Sequence, residues 1–354
     1  MLWISAISVI VLGLSAAYFQ VLYSLSEETL YFFQTAEAWQ AEKHRTCNPT
    51  RINYIYADLR PESLAEAEPG QPRKPLEYSC QDAYGKLPYT HHFARNTRNM
   101  NVHYVRYQDP EVHAAAPILL FIPGISANFL AGGRYYGMAR RLNAELMIME
   151  PTNHGWSDDD GKGAAYGCRE KDDVVAVGKA VLSDQPQRKM YIFTTSMGGM
   201  TLTNALPQLS AFAPQIFGVT LENPPSALVD VMQAQATKRG LPLFLVDQVH
   251  WLAETRSGYP LNGCATIHQV QHLFTPTQVT FSQKDYLISQ TMVEKVVQAL
   301  PPGLPHRFKI YPYGGHSIIW NGQPKTFEKD FQDFWSNSLA WHQKTYQGST
   351  EPSQ

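Results

Sequence analysis

Ser196, Asp285 and His316 are the side chains whose types, order and flanking residues could carry out nucleophilic chemistry. Ser196 stands in Lys189-Met190-Tyr191-Ile192-Phe193-Thr194-Thr195-Ser196-Met197-Gly198-Gly199-Met200, an apolar strand that runs into a serine, two glycines and a helix-forming segment. A serine at such a turn is held in a strained backbone with its hydroxyl exposed at the carboxyl end of a sheet, and it needs small neighbours. Gly198 and Gly199 supply them. The usual spacing is G-x-S-x-G, and Thr194 stands where the first glycine belongs. Taken by itself, the stretch is therefore explained equally well as a turn with an ordinary helix N-cap serine.

A serine hydroxyl is a weak nucleophile at neutral pH without a base. Among twelve histidines, His316 is the candidate, because Tyr311-Pro312-Tyr313-Gly314-Gly315-His316-Ser317 places it on a glycine-flanked loop just past the last predicted strand. The base needs a carboxylate to hold its tautomer. Asp285, at the end of the penultimate strand in Thr280-Phe281-Ser282-Gln283-Lys284-Asp285, is favoured over Glu222 in Leu221-Glu222-Asn223-Pro224, which is kept as the alternative acid. An oxyanion would need two backbone donors, here the amides of Met197 and of Ile125 in Phe121-Ile122-Pro123-Gly124-Ile125-Ser126.

The elements that must position these residues alternate. From Thr90 the pattern predicts strands at residues 91–96, 102–107, 118–122, 146–149, 190–193, 216–221, 278–282 and 307–311, with helices at 135–142, 170–182, 197–206, 292–300 and 327–335. Alternation of this kind makes an α/β fold, a mostly parallel sheet with helices on both faces. Between Pro224 and Pro276 some fifty residues of helix-like text interrupt it, too long for a simple crossover. Leu228, Val231, Met232, Leu241, Leu243, Phe244, Leu245, Val249, Trp251 and Leu252 give this insertion, residues 225–276, the apolar underside of a small helical cap.

Composition sets outer bounds. The chain has 354 residues, 44% of them apolar, and a net charge of −2, so it can bury a large core and has no basic stripe for nucleic acid. Residues 1–25 carry no Lys, Arg, Asp or Glu and are long enough to span a bilayer as a transmembrane anchor, with a cleaved signal peptide as the rival. Residues 26–89 read as a membrane-proximal helix, Glu28 to Lys43, followed by a Pro- and Glu-rich linker. The main domain is expected over 90–340 and a disordered tail over 341–354. Cys47, Cys80, Cys168 and Cys264 show no CxxC pair, which argues against zinc and permits two disulfides in three connectivities. Cys47 with Cys80 is the favoured pair, and four unpaired thiols is the alternative. The cysteines give a mild preference for an extracytoplasmic (periplasmic or extracellular) domain.

The order Ser196, Asp285, His316 with a preceding Pro-Gly turn resembles the α/β-hydrolase superfamily, over roughly Thr90 to Trp335. Asn153-His154-Gly155-Trp156-Ser157 is similar to that family's H-G-x-S loop, with Glu150, Thr152 and Asn153 where Asp, Arg and Gly are usual. Pro123-Gly124 replaces the commoner His-Gly. The resemblance implies a serine hydrolase that cleaves acyl esters through an acyl-enzyme, with no cofactor or metal. An apolar cap and an N-terminal anchor are similar to membrane-tethered hydrolases of lipid esters or thioesters, which suggests a lysophospholipid or monoacylglycerol. Acyl transfer, thioester hydrolysis or peptide cleavage on the same triad, and a catalytically silent membrane-tethered binding protein, are the rival readings.

Overall fold

The computed structural model describes residues 2–42, 87–183 and 185–346. Eight strands form one sheet: β1 (Tyr89–Arg95), β2 (Asn101–Tyr107), β3 (Ile118–Ile122), β4 (Glu145–Met149), β5 (Met190–Thr195), β6 (Ile216–Glu222), β7 (Thr277–Ser282) and β8 (Arg307–Tyr311). Their spatial order is β1-β2-β4-β3-β5-β6-β7-β8. β1, β2 and β4 pair antiparallel, and every pair from β4 through β3 to β8 is parallel. This is the α/β architecture that the alternation predicts.

Strands buried on both faces read as continuous apolar runs, and β3 and β5 are buried along their whole lengths. Side chains still alternate between faces. Ile118, Leu120, Ile122 and Ile192 face a core that includes Val174 and Val177 of one helix and Leu202 and Leu206 of another. Leu119, Phe121, Tyr191 and Phe193 face the other core, against Phe327, Phe331 and Trp335, which recur at four-residue spacing on a C-terminal helix. Each such fully buried side chain contributes about 1.5–3 kcal/mol.

The helices used below are α1 (Leu2–Leu30), α2 (Ala36–Glu42), α3 (Tyr136–Arg141), α4 (Lys171–Leu182), α5 (Met197–Leu209), α6 (Leu228–Lys238), α7 (Phe244–Ser257), α8 (Gln290–Gln298) and α9 (Pro324–Tyr346). α6 and α7 are the two longest helices of the insertion between β6 and β7.

The N-terminal expectations change. Among the described residues no helix is long and apolar enough to cross a membrane, so the structure does not support a transmembrane anchor over residues 1–25. α1 also does not end at Leu25. It continues to Leu30, and from Tyr18 onward it is bound to the cap: Tyr18 donates to the Gln248 side chain at 2.5 Å, and Arg256 donates to Tyr23 O and Ser26 Oγ at 3.1 and 2.8 Å. Leu22 packs with Val249 and Leu252. The continuous helix anticipated over Glu28 to Lys43 is broken, because Phe32 and Phe33 adopt left-handed conformations (φ 50° and 62°) between α1 and α2. α2 then packs on the main domain, with Trp39 Nε1 donating to Asn153 O at 2.9 Å.

At the other end, α9 extends to Tyr346, past the boundary at 340. The linker, Cys47 and Cys80, and residues 347–354 lie outside the described residues. The disulfide that is described joins Cys168 to Cys264, with Cα atoms 5.4 Å apart, and ties the loop after β4 to the end of the cap.

Candidate active site

The functional side chains lie on loops that leave the carboxyl ends of neighbouring strands: Ile125 after β3, Ser196 after β5, Asp285 after β7 and His316 after β8. Ser196 has φ 52° and ψ −123°, a region that a residue with a Cβ occupies only when its surroundings force it. The forcing contacts are visible. Ser196 N donates to Glu222 O at 2.9 Å, and Gly199 N donates to Ser196 O at 2.9 Å. A Cβ on Gly198 would meet Ile122 O at 2.4 Å, and one on Gly124 would meet the Ser196 Cβ at 3.1 Å. These two glycines let the β3 loop and the serine turn approach. Thr194, in the place of the usual first glycine, is accommodated by donating its hydroxyl to Thr220 O at 3.1 Å on β6.

His316 Nε2 lies 2.8 Å from Ser196 Oγ, and its Nδ1 lies 2.7 Å from Asp285 Oδ2. The Asp285 side chain is fully buried, and its other oxygen accepts the Leu287 and Ile288 amides at 2.8 and 2.9 Å. Those amides aim one oxygen at His316 and compensate the buried charge. Met197 is the first residue of α5, where an N–H has no intrahelical acceptor. Gly124 N is already engaged by Thr195 Oγ1 at 3.1 Å, which leaves Ile125 as the amide of that loop beside the serine. Ile125, Ser196 and Met197 line the same cavity.

Glu222 does not reach His316. It is fully buried, accepts from the Ile319 amide at 3.2 Å through Oε1, and its Oε2 has no hydrogen-bond partner. Burial pushes its carboxyl up to about 7, against the pull of Arg134. The histidine loop is held from three sides: Arg134 donates to Ser317 O at 2.5 Å, Asn223 donates to Gly315 O at 3.2 Å, and the Ser282 hydroxyl donates to Gly314 O at 2.9 Å. Arg134, Thr195, Asn223 and Ser282 went unnoticed in the sequence, since nothing in their spacing marks a residue that acts by holding a distant loop.

In the H-G-x-S-like loop, Gly155 permits a close approach to the Glu150 carboxylate, which a Cβ would meet at 2.1 Å. Glu150 accepts from Phe129 N at 2.9 Å and Trp156 N at 2.7 Å, and pairs with His103 Nδ1 at 2.6 Å. Glu in place of Asp thus joins this loop to the one carrying Ile125. His154 is buried against Trp39, and burial lowers its pKa. Among the described residues no three His, Cys, Asp or Glu side chains converge as metal ligands would.

The fold has counterparts among solved structures. An esterase of Pyrococcus furiosus superposes with a TM-score of 0.57 at 15% identity, over 75% of this chain and 96% of that one. The chain folds as an α/β-hydrolase. A bacterial membrane phospholipase A matches at a TM-score of 0.50 and 15% identity, over 72% of this chain and 88% of that one. A Pyrococcus horikoshii acylaminoacyl peptidase matches at 0.52 and 15%, over 71% of this chain and 41% of that one. No family model and no curated protein matches the sequence. α/β-Hydrolase folds carry many chemistries, so function has to be argued from the site.

Proposed function

We propose that this protein is a serine hydrolase that cleaves carboxylic acyl esters, such as a monoacylglycerol or lysophospholipid, through an acyl-enzyme. The observation that carries this reading is the unbroken line Asp285–His316–Ser196, at 2.7 and 2.8 Å, ending on a serine with positive φ in the wall of an apolar cavity. His316 Nε2 takes the Ser196 proton as Oγ attacks the acyl carbon, and Asp285 holds the Nδ1–H and stabilises the imidazolium. The Met197 and Ile125 amides receive the oxyanion, each donor being worth about 2.7–4 kcal/mol in the transition state. His316 then gives the proton to the departing alcohol. A water activated by the same nitrogen releases the acid.

The esterase and the membrane phospholipase A among the structural neighbours agree with ester substrates. The described disulfide supports placing the domain in an oxidising, extracytoplasmic compartment, since such bonds persist there and are rare in the cytosol. The functional test is hydrolysis of p-nitrophenyl esters by the full chain and by Ser196→Ala. Serine-dependent turnover is expected, and a folded wild-type protein that cleaves no acyl ester would refute the reading.

A further inference from the structure

The cavity at Ser196 is not enclosed by the hydrolase domain and cap alone. Its lining is predominantly apolar, as in sites for small organic ligands. One side is Ser196, Ile125 and Met197, the cap contributes Leu228, Met232 and Val249, and α1 with the turn after it contributes Leu25, Thr29 and Phe32. The site is therefore assembled from segments some two hundred residues apart in sequence.

Among the described residues its charged lining groups are Glu28 and Arg239, which neutralise each other at 2.7 Å across α1 and the cap. Both are partly exposed, at 34% and 39%, which puts this clasp at the rim. Arg239 also lies 4.9 Å over the Phe33 ring. The interior offers no unpaired charge to compensate an ionic group taken out of water, whereas an apolar chain needs no partner there.

The end of α1 is built to close this wall. Phe32 and Phe33 hold successive positive φ values, an arrangement that is strained for bulky residues and persists only where the surroundings impose it. Phe33 N donates to Glu28 O at 2.7 Å, Ala164 N donates to Leu30 O at 2.8 Å, and the Tyr166 hydroxyl donates to Thr29 O. Gly163 lets the main chain come this near, since a Cβ there would meet Leu30 O at 2.5 Å.

We infer that α1 is a wall of the acyl site: an unbranched acyl chain extends from Ser196 between α1 and the cap helices, and Leu25 and Met232 set how long a chain is accepted. This rests on the ester-hydrolase reading above. The test uses the full chain and compares kcat/KM for p-nitrophenyl octanoate with that for the acetate. Each methylene buried adds up to about fourfold, so the octanoate-to-acetate ratio is expected to lie well above one in the wild type.

Leu25→Trp and Met232→Trp fill the cavity from opposite walls, and each is expected to lower the ratio at least about tenfold. A ratio lowered by Met232→Trp but untouched by Leu25→Trp would overturn the role of α1, and a ratio moved by neither would place the chain elsewhere. Should Leu25→Trp fail to fold, Leu25→Ala carries the test: the preferred ester shifts toward dodecanoate, and an unshifted preference overturns the inference. Absence of Ser196-dependent hydrolysis of acetate and octanoate alike in the wild type would instead refute the ester-hydrolase reading.

Discussion

The carboxyl edge of the sheet and the cavity above it are built by different rules. At the edge, parallel strands place the loops of Ser196, Asp285 and His316 side by side; the Leu287 and Ile288 amides hold Asp285, and the Arg134, Asn223 and Ser282 side chains hold the His316 loop. Above it, the cavity is closed by α1 and the cap, which meet through side-chain packing, Arg256, and the Glu28–Arg239 pair. Geometry at the edge is thus fixed by several hydrogen bonds on each of the Asp285 and His316 loops. The cavity walls are side chains that can change in size without disturbing the sheet. Under the proposed function the difference separates bond breaking from choice of substrate, and substitutions in the two regions should fail differently.

The largest effects belong to the edge. Ser196→Ala and His316→Ala should each lower kcat for acyl esters by about 10⁴-fold or more, and the double variant should be little worse than either single one. Additive losses in steady-state kinetics would mean the two do not act as a unit. Asp285→Asn should lower kcat by about 10⁴-fold while Glu222→Gln costs less than about tenfold, because only Asp285 contacts His316. The opposite ranking would transfer the acid role to Glu222.

An intermediate effect lies where the regions are joined. The Cys168–Cys264 link spans 96 residues of sequence, and Cys264→Ser should cost up to about 4–5 kcal/mol by restoring freedom to the unfolded chain. Denaturant titration would measure this. The loss should fall on stability rather than on kcat at low temperature, and a collapse of kcat in the folded variant would show that the cap positions the catalytic edge.

The smallest effect is a pH dependence. The Glu222 carboxyl, raised to about 7, stays protonated in the folded protein over a range where the unfolded chain is already ionised. Stability contributed through this group therefore falls as pH rises from about 4.5 to about 7, and the full cost is present above that. Glu222→Gln should raise the Tm by a few degrees at about pH 8 and much less at about pH 5. Equal shifts at both values would mean the buried carboxyl is not neutralised by folding.

The two regions also differ in how much the sequence disclosed. The sheet was legible because its central strands β3, β4 and β5 are short apolar runs that alternate with helical patterns, and the candidate triad followed because its residues stand just beyond strands β5, β7 and β8. The cap was legible as an insertion, and Leu228, Met232 and Val249 do face the cavity, whereas Leu243, Phe244 and Trp251 are more than half exposed. α1 was not legible. A charge-free apolar run has the same composition whether it meets lipid or another helix, and nothing in the sequence marks Tyr18, Leu22, Tyr23 and Ser26 as contacts of α7. The break at Phe32–Phe33 was hidden for a related reason, since the helical spacing runs on through it and tertiary contacts impose the left-handed turn. Three disulfide connectivities were open because spacing carries no pairing information.

The central claim is that Ser196 is an activated nucleophile, and labelling of the folded full chain with a fluorophosphonate probe tests it most directly. The account predicts rapid covalent modification at Ser196 that is lost in Ser196→Ala and strongly slowed in His316→Ala. Folded wild-type protein that resists the probe, or that is labelled equally well without Ser196, would contradict it.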